Sequence, residues 1–133
     1  MPTHVLDSFA LIAYFSNETG ANLVEDLLLK AVSSNKSLYM CEVNFAETKY
    51  MILRNNGKSA WESIQSMLHS LPIQFVPADR SLADMAAQFK AKHRISLADA
   101  FAAALAKAKK AHLVTGDQEF KNLEKEIKIK WLT

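Results

Sequence analysis

Apolar positions along this chain recur with a spacing that switches between two residues and about 3.6, so short strands alternate with amphipathic helices. Residues 3–6 (Thr-His-Val-Leu) read as a strand. Asp7 then stands where a helix N-cap belongs, and Phe9, Leu11, Ile12 and Phe15 supply the helical spacing behind it. After the turn residues 17–20, Leu23, Leu27, Leu28, Ala31 and Val32 mark a second helix. Residues 37–40 form a second strand. A helix follows over about 43–54 and is ended by Asn55, Asn56 and Gly57. Ser59, with Glu62 three residues on, predicts a capping box for the next helix, whose stripe is Trp61, Ile64, Met67 and Leu68. The stretch 72–77 is a short strand held between prolines. Helices are expected over about 79–92 and from Ser96 to about 110. A strand over 112–115 leads through Gly116 and Asp117 into a short helical turn ending near Leu123. Residues 127–132 alternate apolar and basic side chains, the pattern of an edge strand exposed on one side.

Strands that alternate with helices over the whole length predict a largely parallel sheet with helices on both faces. There is no repeat, linker or low-complexity tract, so residues 1–133 are expected to form a single domain. Half of the residues are hydrophobic, enough for a sizeable core. The single cysteine, Cys41, excludes an intrachain disulfide and suits a small core position. No apolar run approaches the roughly 20 residues needed to span a bilayer, and no leader-like pattern opens the chain, so a cytoplasmic protein is expected. Net charge is only +2, but its distribution is uneven. Residues 90–133 hold 10 of the 16 Lys and Arg, which permits contact with phosphates as readily as it describes solvated helix faces.

In a parallel α/β sheet, ligands bind beyond the carboxyl ends of the strands, which directs attention to four carboxylates. Asp7 follows the first strand at once, and Asp117 follows the 112–115 strand after one glycine. Each also reads as a simple N-cap. Glu47 shares a helix face with Val43, Tyr50 and Met51, where a charge must be paired or bound to a cation. A salt bridge, to Arg54 or a lysine, is the plain alternative. Asp99 fits the capping box begun by Ser96, yet it also lies on a face with Ile95, Ala102, Ala103 and Ala106, small residues that allow close approach to the sheet. One arrangement accounts for all four: convergence on a divalent cation that offsets their mutual repulsion. All-oxygen donors without a His or Cys cluster favour Mg²⁺ or Mn²⁺ over zinc. The four histidines read as structural or surface residues, with His93 a candidate for a phosphate contact.

Four segments in order carry a family resemblance. Val5-Leu6-Asp7-Ser8-Phe9-Ala10-Leu11-Ile12-Ala13 resembles the opening motif of PIN domains. Val43-Asn44-Phe45-Ala46-Glu47 is similar to their second motif. Leu97-Ala98-Asp99-Ala100-Phe101 looks like the third, and Leu113-Val114-Thr115-Gly116-Asp117 like the fourth. Size and layout resemble the VapC branch, the toxins of toxin–antitoxin pairs. The resemblance covers essentially the whole chain and implies a three-layer α/β/α fold with a central, mostly parallel sheet. It implies an endoribonuclease using one or two Mg²⁺ or Mn²⁺ ions held by Asp7, Glu47, Asp99 and Asp117, with Ser8 and Thr115 in support. Glu119 stands where some members carry a further acidic residue, and is a candidate for a second ion. Glu42 is a competitor for the role of Glu47. The resemblance further implies a homodimer and an antitoxin partner, with Tyr14, Phe15, Leu27, Tyr50 and Leu53 as candidates for a groove or seam if they are not core. Three other functions remain open: a housekeeping PIN nuclease, a phosphotransfer enzyme with Asp7 as nucleophile, and a non-catalytic binding module. The second is disfavoured because Phe9 stands where such enzymes usually place another aspartate.

Overall fold

The computed structural model describes residues 2–132. In chain order the elements are β1 (His4–Leu6), α1 (Ser8–Phe15), α2 (Ala21–Ser33), β2 (Leu38–Cys41), α3 (Glu42–Asn56), α4 (Lys58–Leu68), β3 (Ile73–Val76), α5 (Arg80–Lys92), α6 (Leu97–Lys109), β4 (His112–Thr115), a 3₁₀ turn (Gln118–Leu123) and β5 (Lys128–Trp131). The five strands pair in the order β3-β2-β1-β4-β5, every pair parallel. The chain therefore steps outward from β1 to β3, then crosses back to lay β4 on the other side of β1. Between β1 and β4 lies the point where strand order reverses, and this is where open α/β sheets place their ligands.

Alternation within the strands divides the core in two. Val5 and Leu113 point to the face covered by α5 and α6, together with Phe89, Phe101, Leu105 and Phe120. Leu6, Met40 and Val114 point to the face covered by α1 to α4, with Leu11, Val24, Leu28, Ile52 and Trp61. The result is a three-layer α/β/α arrangement. α6 is the most deeply set helix: residues 99–106 are all buried, and six of those eight positions are Ala or Asp, small enough for the helix to lie close against its neighbours. β5 is an edge strand, as the alternating pattern predicts, with Lys128 and Lys130 exposed. Cys41 is buried, as expected.

The caps follow the sequence with one exception. Asp79 caps α5, its Oδ1 accepting from Leu82 N–H at 2.9 Å, and Ser96 caps α6, accepting from Asp99 N–H at 3.1 Å. Ser59 does not cap α4. Gly57 takes φ 91° and ψ 172°, a conformation that glycine adopts without strain, and serves both as the end of α3 and as the start of α4. With the turn made in a single residue, Ser59 falls inside the helix, and Glu62 lies 3.9 Å from Lys58 on the surface instead. Replacing Asp79 by Ala is therefore expected to lower unfolding stability by about 1 kcal/mol. Ser59→Ala should leave it nearly unchanged. Urea unfolding of the two variants checks the contrast; equal losses would contradict the cap assignment.

Candidate metal centre at the carboxyl edge of the sheet

β1 and β4 run side by side in the register Leu6↔Val114, so the residues that follow them emerge together at the carboxyl edge. Asp7 leaves β1 as the N-cap of α1. One of its carboxylate oxygens accepts from Ala10 N–H at 2.9 Å and the other from the Thr115 hydroxyl at the end of β4. Thr115 Oγ1 in turn accepts from Asp117 N–H at 3.0 Å, and Asp117 Oδ1 accepts from Glu119 N–H at 3.0 Å. One threonine thus ties the two strand ends together and sets the backbone that carries Asp117 and Glu119. The capping reading of Asp7 and Asp117 holds, and it coexists with their place in the cleft.

Two helices complete the site. Ser96 fixes the first turn of α6, which delivers Asp99, 7% exposed, to the same edge. Asn44, fully buried on α3, donates from Nδ2 to the carbonyl of Ala98 at 3.0 Å and clamps this turn against α3. Glu47, one turn along α3, accepts from the Ser8 hydroxyl. Among the described residues Glu47 forms no ion pair, so the salt-bridge alternative with Arg54 or a lysine does not hold. The buried stripe of α3 is Asn44, Thr48 and Ile52 rather than the one through Tyr50, which is 51% exposed. Glu47 flanks that stripe and is half-buried. Glu42 lies elsewhere, beside Phe45, Leu68 and Phe75. His93 is engaged with Glu126 rather than free to meet a phosphate.

Asp7, Glu47, Asp99, Asp117 and Glu119 all line one cleft of about 450 Å³. Among them, Asp99, Asp117 and Glu119 each place an oxygen within 4.8 Å of the others, so Glu119 stands in the tightest group. Glu18 and Phe9 are among the lining residues that had no sequence signal of a role. Glu18 comes from the turn after α1, where a charged residue is unremarkable. Phe9 belongs to an apolar helical pattern, yet its ring is 45% exposed in the cleft. It covers Gly116 so closely that a Cβ there would stand 2.3 Å from the ring.

Crowding of carboxylates has the expected electrostatic result. Burial pushes the Asp7 carboxyl up to about 7, and the charges of Asp99 and Asp117 add to the rise while Thr115 and Ala10 oppose it. Burial likewise raises Asp99 to about 7, reinforced by Asp117, Glu47 and Glu119. Near neutral pH Asp7 and Asp99 share protons in the metal-free cleft. Hard oxygen donors, mutual repulsion and three oxygens within coordinating reach of one point all suit a divalent cation.

A sequence model of the PIN domain matches residues 4–126. The chain belongs to the PIN domain family. No curated protein matches it significantly. Among solved structures, this PIN domain is similar to the DNA-bound VapBC of Salmonella typhimurium, with a TM-score of 0.80 at 16% identity over 100% of both chains. It is similar to VapBC2 of Rickettsia felis bound to a promoter DNA fragment, with a TM-score of 0.76 at 17% identity, covering 98% of this chain and 99% of the other. It also resembles VapC20 of Mycobacterium tuberculosis, a toxin that cleaves the sarcin–ricin loop, with a TM-score of 0.71 at 14% identity over 90% and 94% of the two chains. At such identities the likeness establishes the shared fold.

Raised carboxyl pKa values give the metal-free PIN domain a definite pH dependence. Asp7 and Asp99 bind protons more tightly when folded than the usual carboxylate does, so their contribution to stability is full below about pH 4 and is lost as pH rises to about 7. Thermal unfolding in EDTA should show Asp7→Asn and Asp99→Asn gaining stability relative to wild type at pH 8 but not at pH 4. Mn²⁺, which displaces these protons, should bind more tightly at pH 8 than at pH 6. A pH-independent affinity would contradict the shared-proton cleft.

Proposed function

We propose that this PIN domain hydrolyses RNA phosphodiester bonds with the help of one or two Mg²⁺ or Mn²⁺ ions, as the toxin of a VapBC-type pair in the cytoplasm. The observation that carries this reading is the convergence of Asp7, Glu47, Asp99, Asp117 and Glu119, from four separate stretches of chain, at the reversal point of the sheet. A protein that only bound a partner would have no use for two buried acids, Asp7 and Asp99, with three more carboxylates crowded beside them. Asp99, Asp117 and Glu119 are the foremost candidate ligands on grounds of proximity, with Asp7 beside them and Glu47 direct or through water. A divalent cation held there would bind the scissile phosphate, offset its charge and make a bound water acidic enough to attack.

The chain's own residues set the rest. Asp7 is 1% exposed and both its oxygens already accept hydrogen bonds, so it is held rigidly as a donor toward a cation. That burial speaks against Asp7 as a nucleophile for phosphotransfer. Thr115 and Ser8 orient Asp7 and Glu47 respectively, the supporting role outer residues play around a metal. The half-exposed ring of Phe9 offers a face on which a base of the substrate strand can stack. Exposed Arg94, two residues before the cap of α6, would meet the backbone without reading sequence.

An antitoxin segment would cover the cleft and its apolar margin, where Phe9, Tyr50 and Leu53 are exposed. Leu27 belongs to the core, and Tyr14 and Phe15 are half-buried against each other, ring centroids 5.2 Å apart, so they contribute less to such a surface. A homodimer is proposed as well, and light scattering checks it.

RNA cleavage should require Mg²⁺ or Mn²⁺ and stop in EDTA. Asp99→Asn and Asp117→Asn should lower the rate by more than about a hundredfold, whereas Thr115→Val and Ser8→Ala, which act through another residue, should cost roughly 10- to 100-fold. Gel assays on a mixed RNA substrate read both. Cleavage that persists in EDTA, or in Asp99→Asn, would overturn the proposal.

A further inference from the structure

The amino edge of the sheet, opposite the acidic cleft, carries a second and electrostatically inverted site. A pocket of about 240 Å³ opens there between the starts of β1 and β4 and the last turn of α2. His4 and His112 are cross-strand partners in the β1–β4 register, with ring centroids 5.7 Å apart, edge to face. Alternation places them on the same face as Leu6 and Val114, in positions where the core pattern calls for aliphatic side chains. His4 is only 9% exposed. Among the described residues no protein group hydrogen-bonds either imidazole, so their polar atoms are left to whatever fills the pocket.

The rim is cationic. Lys30 enters from α2, Lys36 from the loop that follows and Lys130 from β5, while Ser37 adds a hydroxyl. Among the described residues no carboxylate lines the pocket. Asp26 stands 3.3 Å from Lys30, but that pair is exposed and Asp26 lies outside the lining. Lys36 and Lys130 form no ion pair among the described residues. Burial pushes the His4 imidazole down to about 4, and His112, Lys130 and Lys30 add to the fall. Anion attraction comes from the three lysines of the rim, which no carboxylate among the described lining residues offsets.

We propose that this pocket binds a phosphate monoester, either free phosphate or the terminal phosphate of a nucleotide or RNA strand. The two imidazoles form the floor and the lysines the rim. A backbone diester, flanked by sugars on both sides, would stop at the lysines, whereas a protruding terminal phosphate can reach nearly buried rings. The pocket shares no lining residue with the acidic cleft, so the assignment stands or falls apart from the nuclease reading.

Titration of the full chain with inorganic phosphate, followed through the imidazole NMR signals, tests it. Saturable shifts of both His4 and His112 are expected, with the His4 imidazole pKa rising from its lowered value. Affinity should be about tenfold weaker in the double variant Lys36→Ala/Lys130→Ala, because charge-assisted contacts are lost. Both lysines are exposed, so the variant keeps its fold. Shifts reproduced by chloride at equal ionic strength, or an affinity unchanged in the double variant, would overturn the proposal. A nucleoside monophosphate and a short RNA, phosphorylated or not at its terminus, then separate the sources. An RNA that shifts the two histidines equally with and without its terminal phosphate would refute the monoester assignment.

Discussion

The parallel pairing of β1 with β4 is the constraint on which the rest of this molecule depends. It sets Leu6 beside Val114, and so Asp7 beside Thr115, although 108 residues separate them in the chain. Their hydrogen bond lies where the order of the strands reverses. Any slip of one residue in this register would turn Leu6 and Val114 to the other face and expel Asp7 from the edge. Core packing and site assembly are therefore specified by the same pairing. The aliphatic side chains that hold the register are the immediate neighbours of the carboxylates that need it.

Helix α6 shows how the scaffold tolerates the charge it carries. Asp99 is buried in the first turn of a helix whose following residues are mostly alanine. Each alanine contributes little burial energy on its own, but together they let α6 approach the sheet closely enough to bring Asp99 to the edge. The clamp from Asn44 to the Ala98 carbonyl fixes that turn, while Asn44 Oδ1 stays buried without a protein partner. Buried acids with raised pKa values and an unsatisfied amide oxygen both lower stability near neutral pH, and they lie together here, while the buried Trp61 Nε1, also without a protein partner, stands apart on α4. Local rules are broken together where a site is being built.

The strand–helix alternation, the prolines around β3 and the edge character of β5 are legible in the sequence because each rests on local spacing. So is the emergence of Asp7, Asp99 and Asp117 at one edge, once a parallel sheet is inferred. Features that depend on relative rotation or on the exact turn are not. The face of α3 that packs inward is polar, through Asn44 and Thr48, and apolar periodicity pointed instead to the stripe through Tyr50. Ser59 looks like a cap only if the preceding turn needs two residues, and Gly57 makes it in one. Glu119 joins the tightest group because a single 3₁₀ turn follows Asp117, which a residue count alone does not give. His4 and His112 carry no motif at all: they meet only through strand register.

The two edges of the sheet end up with opposite electrostatic demands. At the carboxyl edge, carboxyl groups raised toward 7 favour folding in acid; at the amino edge, a histidine lowered to about 4 disfavours it there, because the unfolded chain takes up a proton near 6.5 that the folded one refuses. The two windows overlap, from about pH 4 to 6.5, and there the one histidine offsets about half of the pH dependence that the two acids impose on the metal-free protein. A cation at one edge and an anion at the other would each remove its own penalty, so the fold would be most at ease with both ends of its central strands occupied. The strands themselves cannot be the source of this polarity, since sheets carry only small net dipoles. It comes from side chains alone: from a β1 that begins with a histidine and is followed, three residues later and about 10 Å away, by an aspartate.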